Sequence, residues 1–199
     1  MTARIDHAVT SGTFSLDGQT FDVDNNVWVV GDENEVVVID APHSVQEIVQ
    51  TVNGRKVVAI VLTHAHDDHV RVAPELAERT GAPLLLHPAE EPLWQLTHPG
   101  VPMPQALADG QEIAVAGITL KVLHTPGHSP GAICLYAPAL NSVFTGDTLF
   151  QGGPGATGRS FSDRPTIERS IKDRLLALPP DTVVHTGHGD DTTIGAEQF

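Results

Sequence analysis

Apolar residues in this chain come in short, β-branched runs separated by glycine, proline and polar punctuation. TFSLDGQTF carries an Asp-Gly turn between β-prone flanks, which predicts a hairpin early in the chain. VWVVGD (27–32) and EVVVIDA (35–41) read as two buried strands around Glu33-Asn34. The period changes in SVQEIVQTVNG (44–54). Ser44 is placed to cap a helix, Glu47 stands three residues on, and Gly54 ends it. KVVAIVLT (56–63) is a continuous apolar run of the kind buried on both faces of a sheet. APELAERTG (73–81) predicts a short helix and APLLLHP another strand.

Residues 88–110 contain Pro88, Pro92, Pro99, Pro102 and Pro104, which predicts a helical turn and an irregular surface loop. Strands are expected near 111–115, 117–123, 132–137 and 141–146. PTIERSIKDRLLAL (165–178) predicts a helix, with Pro165 at its first turn and Ile167, Ile171, Leu175 and Leu178 on one side. DTVVHTG (181–187) reads as a last strand. Strand-rich sections with helices between them predict a layered α/β protein.

Composition narrows the class. With 199 residues, 40% hydrophobic and 18% charged, the chain can bury a sizeable core. A net charge of −14 repels phosphate backbones, so nucleic acid is not an expected partner. No apolar run approaches the ~20 residues of a membrane span, and MTARIDHAVTSG has no signal-peptide core. The single cysteine, Cys134, forms no internal disulfide and sits in the apolar run AICLYA, as a small core residue does. The expected compartment is the cytoplasm.

The candidate chemistry begins where the strongest strand ends. VLTHAHDDHV (61–70) packs His64, His66, Asp67, Asp68 and His69 together. His64 and His66 project to one side of an extended strand end, and Asp67 is expected to point away from Asp68. Imidazole with carboxylate is a ligand set for zinc and similar divalent cations. Burying three histidines and two carboxylates for structure alone is expensive, so ligation is the better account. Three further pieces place one ligand-type residue beside glycine: His128 in TPGHSPG, Asp147 in FTGDTLF and His188 in HTGHGD. His7, His43, His87, His98, His124 and His185 read as ordinary turn or packing residues.

THAHDDH, TPGHSPG, FTGDTLF and TGHG, in this order, resemble the metallo-β-lactamase superfamily, most of all its glyoxalase II (hydroxyacylglutathione hydrolase) branch, from about residue 26 to 195. The resemblance implies an α/β fold, a four-layer αβ/βα sandwich of two mixed β-sheets flanked by helices. It implies that His64, His66 and His128 hold one metal and Asp68, His69 and His188 a second. Asp147 would bridge the two, and Asp68 with Asp147 would orient the hydroxide nucleophile. The implied cofactors are two divalent metal ions, zinc first, with iron or manganese open to the same ligands. Full-length glyoxalase II continues into a helical domain that contacts glutathione. Residues 1–199 are expected to form a single hydrolase domain without it. The loop GGPGATGRSFSD (152–163) resembles the family's glycine-rich segment after the bridging aspartate, and Arg159, its only base, is a candidate substrate contact.

The expected activity is hydrolysis of a small-molecule thioester to an acid and a free thiol, by attack of a metal-bound hydroxide. A thiolate leaves without a general acid, since a thiol pKa is about 8.5. The alternatives are a lactonase or other ester hydrolase and a mono-iron persulfide dioxygenase. Less favoured are a β-lactamase, in which cysteine typically replaces the bridging aspartate, and a metal-binding module without turnover. Residues 88–110 and 152–163 are the expected determinants of selectivity.

Overall fold

The computed structural model describes residues 2–197. A long hairpin, β1 (Arg4–Leu16) and β2 (Gln19–Gly31), opens the chain, and β3 (Glu35–Ile39), α1 (Val45–Val52) and β4 (Lys56–Val61) follow. Next come α2 (Asp67–Val70), α3 (Ala73–Thr80), β5 (Leu84–Leu86), α4 (Glu91–Thr97) and β6 (Gln105–Ala106). The second half holds β7 (Glu112–Val115), β8 (Ile118–His124), β9 (Ile133–Ala137), β10 (Ser142–Gly146), β11 (Leu149–Phe150) and β12 (Gly153–Pro154). It closes with α5 (Arg164–Ser170), β13 (Val183–Thr186) and β14 (Thr192–Thr193).

Two six-stranded sheets result, ordered β1-β2-β3-β4-β5-β6 and β14-β13-β10-β9-β8-β7. Each is mixed. In the first, β1–β3 pair antiparallel and β3–β6 parallel; in the second, only β10 and β13 pair parallel. Val37 and Ile39 of β3 face the second sheet, joining Trp28, Val61, Leu120, Leu135 and Phe144 in the layer between the sheets. Val36 and Val38, on the opposite pleat, pack with Ile48, Leu76 and Trp94 of the helical layer outside. On the far side, Ile167 and Ile171 pack on Leu123, Val143 and Val184. Helix, sheet, sheet and helix therefore stack in four layers, each face apolar because each is covered.

Local signals explain the ends of most elements. The Ser44 hydroxyl caps α1 by accepting from the Glu47 amide, and Asn53 ends the helix in the left-handed conformation. Asp17 and Gly18 both have positive φ, as a two-residue hairpin turn requires.

Two expectations differ from the structure. The hairpin strands run 13 residues each, so 27–32 is the second half of β2 and not a separate strand. Residues 19–24 are almost entirely exposed, and the brief alternation of Phe21 and Val23 with polar residues is too short to give the strand's length. The predicted helix over 165–178 is α-helical only to Ser170 and then widens into π-type turns over Ile171–Leu175. Residues 167, 171 and 175 are spaced by four, which drifts about 40° per step on a helix of 3.6 residues per turn. The wider turn keeps all three on the sheet.

Phe144 is fully buried and its ring lies 6.1 Å from that of Trp28 and 5.0 Å from that of His185. Phe144→Ala should cost about 3–5 kcal/mol of unfolding free energy. Urea titration followed by circular dichroism will read the loss, and a change under ~1 kcal/mol would mean that this layer can collapse around the void.

Candidate metal centre

The ligand-type residues converge at one end of the sandwich, where strands give way to loops. His64 and His66 follow β4, His128 lies between β8 and β9, Asp147 directly follows β10, and His188 follows β13. A register shift between Phe144 and Gly146 leaves Thr145 unpaired with β13, and Gly146 takes a positive φ. This bulge turns the chain so that Asp147 points inward. Gly187 hydrogen-bonds the Gly146 carbonyl through its amide, and a Cβ there would collide with Asp147 Oδ1. Only glycine lets the two loops approach so closely.

Two triads form. His64 Nε2 and His128 Nε2 each lie 3.0 Å from His66 Nδ1. In the second, His188 Nε2 is 3.2 Å from His69 Nε2 and 3.3 Å from Asp68 Oδ2. Asp147 reaches both, with Oδ1 3.2 Å from His69 Nε2 and Oδ2 3.5 Å from His128 Nε2. Two ligands at ~2.0–2.1 Å from one tetrahedral cation stand about 3.3 Å apart, so these separations suit a metal.

Hydrogen bonding sets the direction of the lone pairs. His128 Nδ1 donates to the Ala156 carbonyl, His69 Nδ1 to Asp40 and His188 Nδ1 to the Asp24 carbonyl. The Thr63 hydroxyl gives its hydrogen to Asp40 Oδ2 and so can accept from His64 Nδ1. In each case Nε2 is left to face the cluster. His66 Nε2 and Asp147 Oδ1 are buried without any hydrogen-bond partner. His66 faces the cluster through Nδ1 instead, and inward lone pairs, buried carboxylates and the orphaned Asp147 oxygen fit divalent cations.

The titration behaviour follows from this crowding. Burial opposes charge on His69 and His188, yet Asp147 and the neighbouring carboxylates raise both, His188 to about 10. Burial lowers His64, His66 and His128, His66 to about 3 with help from His128. Burial would raise Asp68, but His69 and His188 hold it at about 2. Asp147 stays below the usual carboxylate range for the same reason, with His188 the leading cause against burial.

All seven sequence-derived ligand residues are thus together, and Arg159 stands at the mouth. Its guanidinium lies 5.3 Å from the Phe14 ring centroid and 4.8 Å from that of Phe21, and with Phe14, Ala156, Ser160 and Ser162 it borders a small cavity beside His66 and His128. Asp17 at the hairpin tip accepts from the Ser160 amide, tying the hairpin to this loop. The mouth is therefore built by 156–162 and by the hairpin, which the sequence pattern did not single out. Within 88–110, Glu90 lies beneath the centre and exposed Leu96 borders the hairpin tip at 15–20.

Asp67 points away, accepting from Arg71 and from the Ser15 amide. His98 bonds the Val70 carbonyl, and Cys134 is buried with its thiol pushed up to about 11. Ser142, His185 and Asp191 fall in a hydrogen-bonded line, but Ser142 is buried and its hydroxyl donates to the Leu140 carbonyl, so it is no accessible nucleophile.

Three supporting residues escaped sequence reasoning. Asp40, in a positive-φ conformation, accepts from the Thr63 amide, the Thr63 hydroxyl and His69. Asn25 donates to Asp68 Oδ2 and accepts from His43, so His43 lies one contact behind the centre. Glu90 is fully buried beneath the His64–His66 turn. Each is a single polar residue at a strand end, a strand interior or a proline-rich turn, with no motif to mark it.

Comparison with known proteins agrees with this geometry. The family described as the Metallo-beta-lactamase superfamily matches residues 20–188. An uncharacterized protein of Aquifex aeolicus is 37% identical over 186 residues, 87% of this chain and 88% of that one. A hydroxyacylglutathione hydrolase of Haemophilus influenzae is 31% identical over 187 residues, 86% and 87% of the two chains. A protein crystallised in a di-iron-bound form superposes with a TM-score of 0.78 at 36% identity, covering 87% of this chain and 92% of that one. BLEG-1, a B3 metallo-β-lactamase, gives the same TM-score at 28% identity, covering 94% and 95%.

The neighbouring carboxylates raise His69 and His188, so a proton held by this pair competes with metal, and a ligand must lose its proton to bind. Metal loading at pH 7 should therefore release protons, and apparent affinity should climb as pH rises from 6 toward 10. Calorimetry in buffers of different ionisation enthalpy measures this; buffer-independent heats at pH 7 would contradict it.

Proposed function

The chain belongs to the metallo-β-lactamase superfamily, and from that premise we propose that it is a binuclear metal-dependent hydrolase that cleaves thioesters of a low-molecular-weight thiol, as glyoxalase II does. The observation that carries this reading is Asp147, whose two carboxylate oxygens reach both triads at once. The Haemophilus hydroxyacylglutathione hydrolase, similar over nearly its whole length, supports the thioester assignment.

Two divalent cations, when bound, would supply Lewis-acid polarisation and an acidified water. His64, His66 and His128 would hold one and Asp68, His69 and His188 the other, with Asp147 shared between them. Asp147, whose oxygens border both triads, and Asp68, 3.3 Å from His188, would orient the attacking water. Phe14 supplies an apolar wall beside His66, their rings 5.2 Å apart, which excludes bulk water from that side. Arg159 presents a guanidinium held against two aromatic faces, suited to a carboxylate on the substrate's thiol moiety. No side chain need donate a proton to the leaving group, since a thiolate with a parent pKa of about 8.5 departs unaided.

The zinc or iron content is part of the proposal. The di-iron neighbour favours testing iron beside zinc. The structural similarity to a B3 β-lactamase gives a second reading, β-lactam hydrolysis, that a substrate panel separates. Glutathione thioesters, other small-thiol thioesters, a lactone and a β-lactam should be assayed with metal content recorded and oxygen uptake followed. Thioester turnover without oxygen consumption is expected. Preferential lactone or β-lactam turnover would displace the thioester reading, and oxygen uptake with one iron per chain would replace hydrolysis by dioxygenation.

Asp147→Ala should lower thioester turnover at least about a hundredfold, beyond the 10- to 100-fold typical of losing an outer partner. His98→Ala and His185→Ala, at equal fold content by circular dichroism, should keep turnover near the parental value. Near-parental turnover in Asp147→Ala would remove the bridging assignment.

A further inference from the structure

Glu90 sits in the turn Pro88–Glu90 just before α4 and is fully buried. Its Oε2 accepts from the Ala65 amide at 2.7 Å. Its Oε1 accepts from the Ser129 hydroxyl and the Gly131 amide, both at 2.6 Å. Ala65 lies between His64 and His66, and Ser129 directly follows His128. One carboxylate therefore joins the two loops that carry the whole first triad. The fit is close, because a Cβ on Gly131 would stand 2.9 Å from Glu90 Cγ.

The charge of this group is not neutralised locally. Its surroundings are hydrogen-bond donors only, and no cationic side chain among the described residues pairs with it. A buried carboxylate without a cation is costly. Together with Asp40, Asp68 and Asp147 it brings four carboxylates into one end of the sandwich, and a pair of divalent cations would balance four negative charges. Glu90 makes no hydrogen bond to Asp68, His69, Asp147 or His188, whose supports are Asn25, Asp40 and the Asp24 carbonyl.

We propose that Glu90 is the positioning residue of the first metal site: by bonding Ala65, Ser129 and Gly131 it holds His64, His66 and His128 at ligand spacing, and it leaves the second site to other supports. The proposal rests on the binuclear reading above. Glu90→Gln keeps the volume but turns an amide N–H₂ toward a backbone N–H on one side, since it leaves one acceptor oxygen where the carboxylate's two oxygens serve three donors.

The test is zinc affinity by chelator competition, in two backgrounds of the full chain. His188→Ala leaves the first site and His66→Ala leaves the second. Glu90→Gln should weaken zinc binding about 10- to 100-fold in the first background and leave the second near its starting affinity. Ser129→Ala, which removes one of the three bonds, should weaken the first site in the same direction by a smaller factor. It decides the matter if metal-free Glu90→Gln does not show parental circular dichroism. Equal weakening in both backgrounds would reduce Glu90 to a general structural role, and unchanged first-site affinity in both variants would overturn the proposal outright. A parental chain that binds no zinc, iron or manganese would instead remove the metal reading itself, and the role of Glu90 with it.

Discussion

The crowding of imidazoles and carboxylates in a nearly dry space is the constraint on which the architecture depends. Imidazole lone pairs and carboxylate oxygens stand 3.0–3.6 Å apart at one end of the sandwich, mostly buried. Left free, such groups would rotate apart or draw in water. They stay because each is gripped from behind: His69 by Asp40, His128 by the Ala156 carbonyl, His188 by the Asp24 carbonyl and Asp68 by Asn25. The energy for this grip comes from the apolar layers, where Val, Ile and Leu are covered on both faces of each sheet.

That division of labour explains where the ligand-type residues stand. Strand ends are fixed by the ladders behind them, so a residue one or two positions past a strand inherits the sheet's rigidity while being free of its pairing. The bulge before Asp147 and the glycine at 187 use this freedom to bring two loops within contact of one carboxylate. Asp40 does the same from β3, spending a strained positive φ to reach both Thr63 and His69.

The mouth obeys different rules. There the hairpin tip and the loop at 156–162 meet through Asp17 and Ser160 and through Arg159 between two phenylalanines. These contacts are few and partly exposed, so the rim is held less firmly than the centre beneath it. A hydroxyacylglutathione hydrolase and a B3 β-lactamase both match most of this chain, so one fold serves different substrates.

The sequence by itself determined the strand runs, the capped helices and the seven ligand-type residues, because each depends on neighbours within a few positions. Apolar period, the Ser44 cap, Pro165 in a first helical turn, and histidines beside glycines are local signals. Only the tertiary structure decided the rest. The length of the hairpin was illegible because residues 19–24 gain order from pairing with β1, not from burial. The π-type turns after α5 answer to the sheet surface beneath them. Asp40, Asn25 and Glu90 acquire their roles from partners 18–43 positions away in the chain. A lone polar residue carries no mark of a bond that folding alone brings within reach.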